Sequence, residues 1–376
     1  MIPTSSMNPA ERLAWLREEG PERLTELYEA ADGVRRENVG DAVHLRGLIE
    51  VSNGCVRECG YCGLRASRRE LKRYRLSREE VLECVDLAVQ LGYGTVVLQA
   101  GEDYGITRDW LADIVRYVKR ETPLAVTLSM GERPEEDLRA WREAGADRYL
   151  IRFETSDPEL YSLIHPPFRD RPSDRVALLK TLQRLGYEAG SGVMIGIPGQ
   201  TFVSLAADIE LFQSLDLDMI GVGPYIAHSA TPLGQGLWRR DVDPAEQVPN
   251  TEEMVYKVVA LTRLACPHAN IPSTTALATI NLANGRELGL SRGANVVMPN
   301  LTPVAYRSLY EIYPSKACIF ETASACYSCI HQRIASIGRR VGSGPGGRMT
   351  EIAPASWAVN GTDADSSPEA AIVEGL

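Results

Sequence analysis

The chain has 376 residues, 44% hydrophobic and 24% charged, with a formal net charge of −10 at pH 7. This is an ordinary globular composition, long enough for one large α/β domain or two smaller ones around a substantial core. The acidic balance argues against nucleic acid as a partner, because phosphate binding needs an excess of Lys and Arg. No apolar run approaches the roughly 20 residues of a membrane helix, so no membrane partner is expected. The N-terminus lacks a basic segment followed by an apolar one, so no signal peptide is read there and a cytoplasmic location is expected.

Residues 8–38 read as two polar helices, an N-terminal extension over 1–40. Short β-branched runs then alternate with helical stretches. The strands are expected at 45–52, 95–100, 124–129, 148–153, 188–196, 218–223, 270–275 and 294–299. Helices are expected near 78–91, 107–120, 134–144, 173–185, 202–214, 250–265 and 282–290. Ser77 and Glu80 form a capping box. Gly92 and Gly186 sit just past helix ends, as C-caps do. Alternating β and α elements imply parallel strands with right-handed crossovers. Eight of them over 41–340 suggest an α/β fold of the (β/α)8 TIM-barrel type, with an open doubly wound sheet as the alternative. Residues 341–376, rich in Gly, Ser, Ala and acid, read as a disordered tail outside the core. The basic run 68–75, "RRELKRYR", reads as a solvated face.

Six of the eight cysteines form two triplets, Cys55/Cys59/Cys62 and Cys318/Cys326/Cys329. Cys84 and Cys266 stand alone in helical stretches and read as small buried apolar residues. In a reducing compartment, clustered thiols suggest metal sites more than disulfides. Cys55 follows the first strand, at the end of a barrel where chemistry sits. Structural zinc wants four ligands, and no fourth Cys or His follows at short spacing. Three thiolates suit a 4Fe–4S cluster with one iron left open.

The spacing C-x-x-x-C-x-x-C, with Tyr61 before the last Cys, resembles the signature of the radical S-adenosylmethionine (SAM) superfamily. The resemblance implies that Cys55, Cys59 and Cys62 hold a 4Fe–4S cluster whose open iron binds SAM. Reduction then cleaves SAM to methionine and a 5′-deoxyadenosyl radical. It also implies cofactor contacts. Tyr61 is one. Gly101 and Glu102 in "QAGED" are expected at the SAM amino group, and Glu154 in "RFET" at its ribose. Arg175 is expected at its carboxylate. Ile195 in "MIGIPGQT" lies in the segment beside ribose and adenine. Each has a plainer reading, the glycines as turn residues and Glu154 with Arg175 as a structural ion pair.

Longer blocks, among them "SNGCVRECGYCGLR", "VLQAGED", "LGYEAGSGVMIGIPGQT" and "GANVVMPNLTPVAYRSLY", resemble the HydE-type maturases of FeFe hydrogenase over about residues 40–335. That resemblance implies a second iron–sulfur cluster (2Fe–2S or 4Fe–4S) at Cys318, Cys326 and Cys329. It implies a substrate cavity lined by Arg46, Gln99, Thr127, Arg152, Thr275, Met298 and Tyr310. It implies a substrate, an iron–cysteine complex carrying CO and cyanide, handed over during assembly of the hydrogenase active site. The expected partners are a precursor-making radical SAM maturase, a scaffold GTPase, and a reductant such as ferredoxin or flavodoxin. There are departures: Phe153 stands where histidine is common, Ala100 where serine is, and Arg292 where a smaller residue is. Residues 238–250 form a longer stretch than usual. The alternatives are a radical SAM mutase or synthase acting on a small amino acid, like methylornithine synthase or the more distant biotin synthase, and a non-enzymatic iron–sulfur module.

Overall fold

Regular parallel pairing covers eight strands, and single bridges complete the circuit. The computed structural model describes residues 7–169 and 172–348. Its strands are β1 (Ala42–Ser52), β2 (Thr95–Ala100), β3 (Ala125–Ser129), β4 (Arg148–Leu150), β5 (Glu188–Ile195), β6 (Met219–Pro224), β7 (Val296–Val297) and β8 (Arg340–Val341). Strands β1 to β6 pair in sequence, and β7 lies on the other side of β1. Residues 270–272 fill the gap between β6 and β7, with Met219 bridged to Asn270 and Pro272 to Val296. Ile220 N donates to Asn270 O at 2.9 Å, and Ser273 N to Val296 O at 2.9 Å. This favours the closed barrel over the open sheet.

The expected strands that shorten do so for local reasons. The fourth stops at Leu150 because Glu154 adopts φ +64, which breaks the pleat. Ile151 N and Glu154 N still reach Gly190 O and Gly192 O at 2.9 and 3.0 Å. In the seventh and eighth, Pro272 and Pro299 have no N–H to extend a ladder. All seven expected helices form. The helix Ala323–Ser336 was not expected; Thr322 caps it, its Oγ1 accepting Ala325 N at 3.2 Å. Gly92 and Gly186 take φ +68 and +85 beyond their helices, as their positions predict.

The two N-terminal helices, Pro9–Arg17 and Pro21–Val39, pack on the helices Phe202–Ser214 and Glu252–Ala265. Leu16, Leu27 and Ala31 belong to the same apolar cluster as the barrel wall. Arg292 lies between two rings here, 4.4 Å from the Tyr28 centroid and 4.1 Å from that of Tyr256. Arg292 therefore serves the attachment of the N-terminal helices, not the barrel interior.

The tail expectation is corrected for residues 341–348; residues 349–376 lie outside the described residues. Strand β8 pairs with Ala42 and Val43 at the start of β1. The glycine-rich stretch then crosses the N-terminal mouth of the barrel. Pro345 O accepts from Thr95 Oγ1 at 2.9 Å and Arg148 Nη2 at 3.2 Å. Gly346 O accepts from Arg46 Nη2 at 3.0 Å. Arg348 anchors the far side, donating to Asp216 O at 3.0 Å and Asp218 Oδ1 at 3.2 Å. The buried arginines supply donors that need acceptors, and the Pro345 and Gly346 carbonyls of the strap meet some of them. A Cβ on Gly94 would stand 1.7 Å from Gly344 O. Gly94→Ala is therefore expected to destabilise the apo-protein by about 1–3 kcal/mol in urea denaturation. An unchanged midpoint would contradict this seating of the strap.

Candidate active site

The cysteine loop leaves the C-terminal end of β1, and three sets of hydrogen bonds pin it. Asn53 Nδ2 donates to Lys72 O at 2.9 Å and Leu309 O at 2.8 Å. Val56 N reaches Glu102 O at 3.0 Å, Gly60 N reaches Ile164 O at 2.8 Å, and Gly63 N reaches Ile312 O at 2.9 Å. Arg73 donates to the carbonyls of Asn53, Leu64 and Arg65 at 2.6, 2.9 and 2.7 Å. Arg75 pairs with Asp103 at 2.8 Å. The basic run is thus not merely a solvated face; two of its arginines hold the loop. Gly101 lets β2 approach closely, since a Cβ there would lie 2.2 Å from Gly54 O.

All three thiols are free, Cys59 buried and Cys55 and Cys62 half-buried. Burial pushes each thiol up, Cys62 to about 12, and the neighbouring thiols add to the rise in Cys59 and Cys62. Arg57 N points at Cys55 Sγ at 3.5 Å and Leu64 N at Cys62 Sγ at 3.4 Å. Cys59 Sγ lies 3.0 Å from His165 Nδ1. Soft sulfur donors with N–H groups aimed at them fit an iron–sulfur cluster. Among the described residues no three His, Cys, Asp or Glu side chains converge on a single-ion point. The fit therefore rests on donor chemistry.

Beside the loop lies a buried charge network that sequence reasoning missed, centred on Glu132. Its Oε1 receives Arg175 Nε at 3.0 Å and lies 3.0 Å from His165 Nε2, and its Oε2 lies 2.8 Å from Arg57 Nη2. Burial alone would raise this carboxyl, but His165, Arg175, Ser173 and Arg57 hold it well below the usual carboxylate range. Glu102 joins through Arg57 Nε at 2.8 Å and Glu132 N at 2.9 Å. Its side chain is thus turned into the network, while its carbonyl holds Val56. Burial, then the Arg175 charge, lowers His165 to about 4. The signal for Glu132 was available: it closes the block "AVTLSMGE" after the third strand.

Arg175 opens the helix Arg175–Arg184, and its Nη1 donates to Arg152 O at 2.6 Å. Glu154 is 6% exposed. Tyr61 OH lies 3.5 Å from its Oε1. Its Oε2 lacks a hydrogen-bond partner, although Arg152 Nη2 stands 3.2 Å away in poor alignment. That unmet acceptor fits a ligand hydroxyl. The Ile195 side chain packs in the main core, and its carbonyl accepts Tyr225 N at 2.8 Å. Met194 and Ile197 instead join Tyr61, Leu233 and Trp238 in a separate apolar cluster. Phe153 also faces away, its ring 5.5 Å from that of Phe212 against the helical layer. Ala100 is buried in the core.

Below the loop the barrel holds a cavity of about 170 Å³. Gln99, Arg152, Thr275 and Met298 line it, as expected. Tyr310 stands behind, its hydroxyl accepting Gln99 Nε2 at 3.2 Å while its ring packs near Cys55 and Cys62. Two expected lining residues lie elsewhere. Thr127 is level with Val97, one inward layer below Gln99. Arg46 is level with Thr95, lower still, where it binds the strap and the Met219 sulfur. Sequence reasoning missed Glu50, Lys316 and Arg286. Glu50 could have been found by parity, since it sits two residues past Leu48 on the inward face. Lys316 Nζ meets Glu50 Oε1 at 2.6 Å and Asn300 Nδ2 meets Oε2 at 3.0 Å.

The second triplet lines a neighbouring cavity of about 180 Å³, with Arg286, Ala317 and Cys318 shared between the two. Cys326 and Cys329 lie on the helix Ala323–Ser336, and Cys318 adopts φ +62 opposite. Arg286 Nη2 is 3.6 Å from Cys318 Sγ, and Arg333 Nε 3.4 Å from Cys329 Sγ. The Cys326 thiol and Arg286 lower Cys318, and the same thiol contact raises Cys326.

Lys316→Met would strand a buried carboxylate. It is expected to destabilise the protein by about 3–5 kcal/mol, with part recovered in the double variant Glu50→Gln/Lys316→Met, as read by chemical denaturation. Additive losses would contradict the pairing.

Comparison with known proteins places this geometry. The Radical SAM superfamily model matches residues 49–212. FeFe hydrogenase maturase subunit HydE of Thermotoga maritima is 46% identical over 322 residues, 86% of this chain and 88% of that protein. The 3-methylornithine synthase of Methanosarcina acetivorans is 30% identical over 76% of this chain and 77% of that protein. The crystal structure of methylornithine synthase (PylB) superposes with a TM-score of 0.76 at 25% identity, covering 90% of this chain and 94% of that one. The chain belongs to the radical SAM superfamily, in the family of HydE-type FeFe hydrogenase maturases.

Proposed function

We propose that the protein cleaves SAM reductively and directs the radical at an iron–cysteine complex bearing CO and cyanide, one step in building the hydrogenase diiron subcluster. The observation that carries this reading is the stacking of two sites. A loop of three thiols, one buried and two half-buried, sits above a partly cationic cavity, and Tyr310 links them, packing near Cys55 and Cys62 and accepting a hydrogen bond from the cavity residue Gln99.

In this reading Cys55, Cys59 and Cys62 hold the 4Fe–4S cluster. Bound SAM and one electron supply a 5′-deoxyadenosyl radical. The chain's own residues orient and enclose. Gly101 admits backbone to the ligand. Glu154 offers an unmet acceptor to the ribose, and Arg175 a charge beside it for the SAM carboxylate. Tyr61, Met194, Ile197 and Trp238 form an apolar wall that excludes water. In the cavity, Arg152, Arg286 and Lys316 provide cationic donors for a carboxylate or cyanide, and Met298 a soft wall. The Glu50–Lys316 pair keeps one cation fixed in place.

Cys318, Cys326 and Cys329 hold a second iron–sulfur cluster in the same reading. The substrate arrives from a radical SAM maturase that makes the precursor and leaves toward a scaffold GTPase. A ferredoxin or flavodoxin supplies the electron. No described helix is long and apolar enough to cross a membrane, which is compatible with a cytoplasmic setting. Methylornithine synthase supports a second reading, a small amino acid as substrate, because its fold matches closely and the cavity is small.

The test is release of 5′-deoxyadenosine by anaerobically reconstituted, reduced enzyme. Alanine at any one of Cys55, Cys59 or Cys62 is expected to abolish it. The triple variant Cys318→Ser/Cys326→Ser/Cys329→Ser is expected to lower iron content and leave cleavage within about threefold, because that site lies apart from the SAM residues. Full cleavage in a first-triplet variant would overturn the cluster assignment.

A further inference from the structure

His165 places a ring nitrogen within hydrogen-bond reach of a thiol of the first triplet, and the Tyr61 hydroxyl is the other side-chain donor near that sulfur. His165 Nδ1 stands 3.0 Å from Cys59 Sγ. Its side chain is fully buried. The ring is held on its other edge by Glu132 Oε1 and Arg175 Nη2, each 3.0 Å from Nε2. It is held through the backbone as well. His165 N closes the helix Pro158–Ile164 onto Tyr161 O at 2.8 Å, and Ile164 O takes Gly60 N at 2.8 Å. The residue after Cys59 is thereby tied to the residue before His165. The Tyr161 ring, 5.2 Å away, closes one side.

We propose that His165 donates a hydrogen bond through Nδ1 to the Cys59 sulfur and so sets how readily the cluster held there accepts an electron. This rests on the proposed assignment of Cys59 as a cluster ligand. A sulfur bonded to iron carries no hydrogen and can only accept. The ring nitrogen facing it therefore carries the hydrogen, and Nε2 of the neutral ring accepts from Arg175 Nη2 at 3.0 Å. A hydrogen bond to a cluster sulfur favours the reduced, more negative state and raises the potential. The other two sulfurs face only backbone N–H groups, at 3.5 and 3.4 Å, which no substitution removes. Cys59 is thus the position where a side chain tunes the cluster. The same imidazole touches Arg175, the candidate for the SAM carboxylate, so one ring orients both a cluster ligand and a cofactor contact. His165 is a positioning residue: it touches neither substrate nor the reacting atoms.

The test uses full-length protein labelled with nitrogen-15 histidine, reconstituted, reduced and mixed with SAM. Pulsed EPR is recorded on the cluster signal that changes on SAM addition. The wild-type signal is expected to show coupling to a histidine nitrogen, absent in His165→Asn. His165→Asn retains a side-chain N–H near the same place, so its reduction equilibrium is expected to stay within about threefold of wild type. His165→Leu is expected to be about tenfold harder to reduce, about 59 mV for a one-electron couple. A SAM-responsive wild-type signal without histidine coupling overturns the inference. So does a wild-type potential in His165→Leu. Should His165→Leu fail to hold a cluster, the wild-type and His165→Asn measurements decide alone. A SAM-responsive signal that survives Cys59→Ala would instead overturn the cluster assignment itself, an outcome distinct from loss of the histidine coupling.

Discussion

The upper half of the barrel depends on the carboxylate of Glu132. Two arginines and a histidine from three different segments converge on it, and Glu102 shares one of those arginines. Charges this buried persist only when paired and hydrogen-bonded, and removing one partner from such a set costs about 3–5 kcal/mol. The geometric consequence matters more. Arg57 belongs to the cysteine loop, Glu102 to the end of β2, His165 to the turn after a short helix, and Arg175 to the start of the next helix. One carboxylate fixes the relative positions of four elements that have no strand pairing with one another.

The lower half solves a different problem. Arg46 and Arg148 point inward where a barrel ordinarily packs apolar side chains. Their guanidinium groups need acceptors away from water, and the strap after β8 brings carbonyls to them. Above this floor the inward layer is apolar or small. Above that lies the cavity with Gln99, Arg152, Lys316 and Glu50. The interior therefore grades from a polar floor, through a layer of apolar or small side chains, to a partly open chamber with fixed charges under the thiols. A substrate that reaches the chamber meets fixed charges on one side and the cysteine loop on the other.

Much of this was legible in the sequence because it is local. The alternation of short β-branched runs with capped helices specifies the barrel, and the cysteine spacing after the first strand places the reactive end. The comparison with HydE supports the family that the motifs suggest. What was not legible depends on long-range pairing. "GSGPGGR" has the composition of a linker, and only the buried arginines on distant strands make it a strap. "RRELKRYR" has the pattern of a solvated face, yet Arg73 meets carbonyls that only the folded loop presents. Arg46 and Thr127 have the right parity for the interior but the wrong height, and height is set by strand register, which pattern does not reveal. Glu132 and His165 lie far apart in sequence, and their meeting at Cys59 is a property of the closed barrel alone.

The central claim is that the radical made beneath the cysteine loop acts on an iron-bound cysteine in the chamber. It is tested most directly by following the adenosyl group by mass spectrometry in reduced, SAM-loaded enzyme, with and without a synthetic iron–cysteine complex carrying CO and cyanide. The account predicts an adenosyl–sulfur product that forms only when the complex is present. Release of free 5′-deoxyadenosine at the same rate with and without the complex would contradict it, and lysine would then be the next substrate to test.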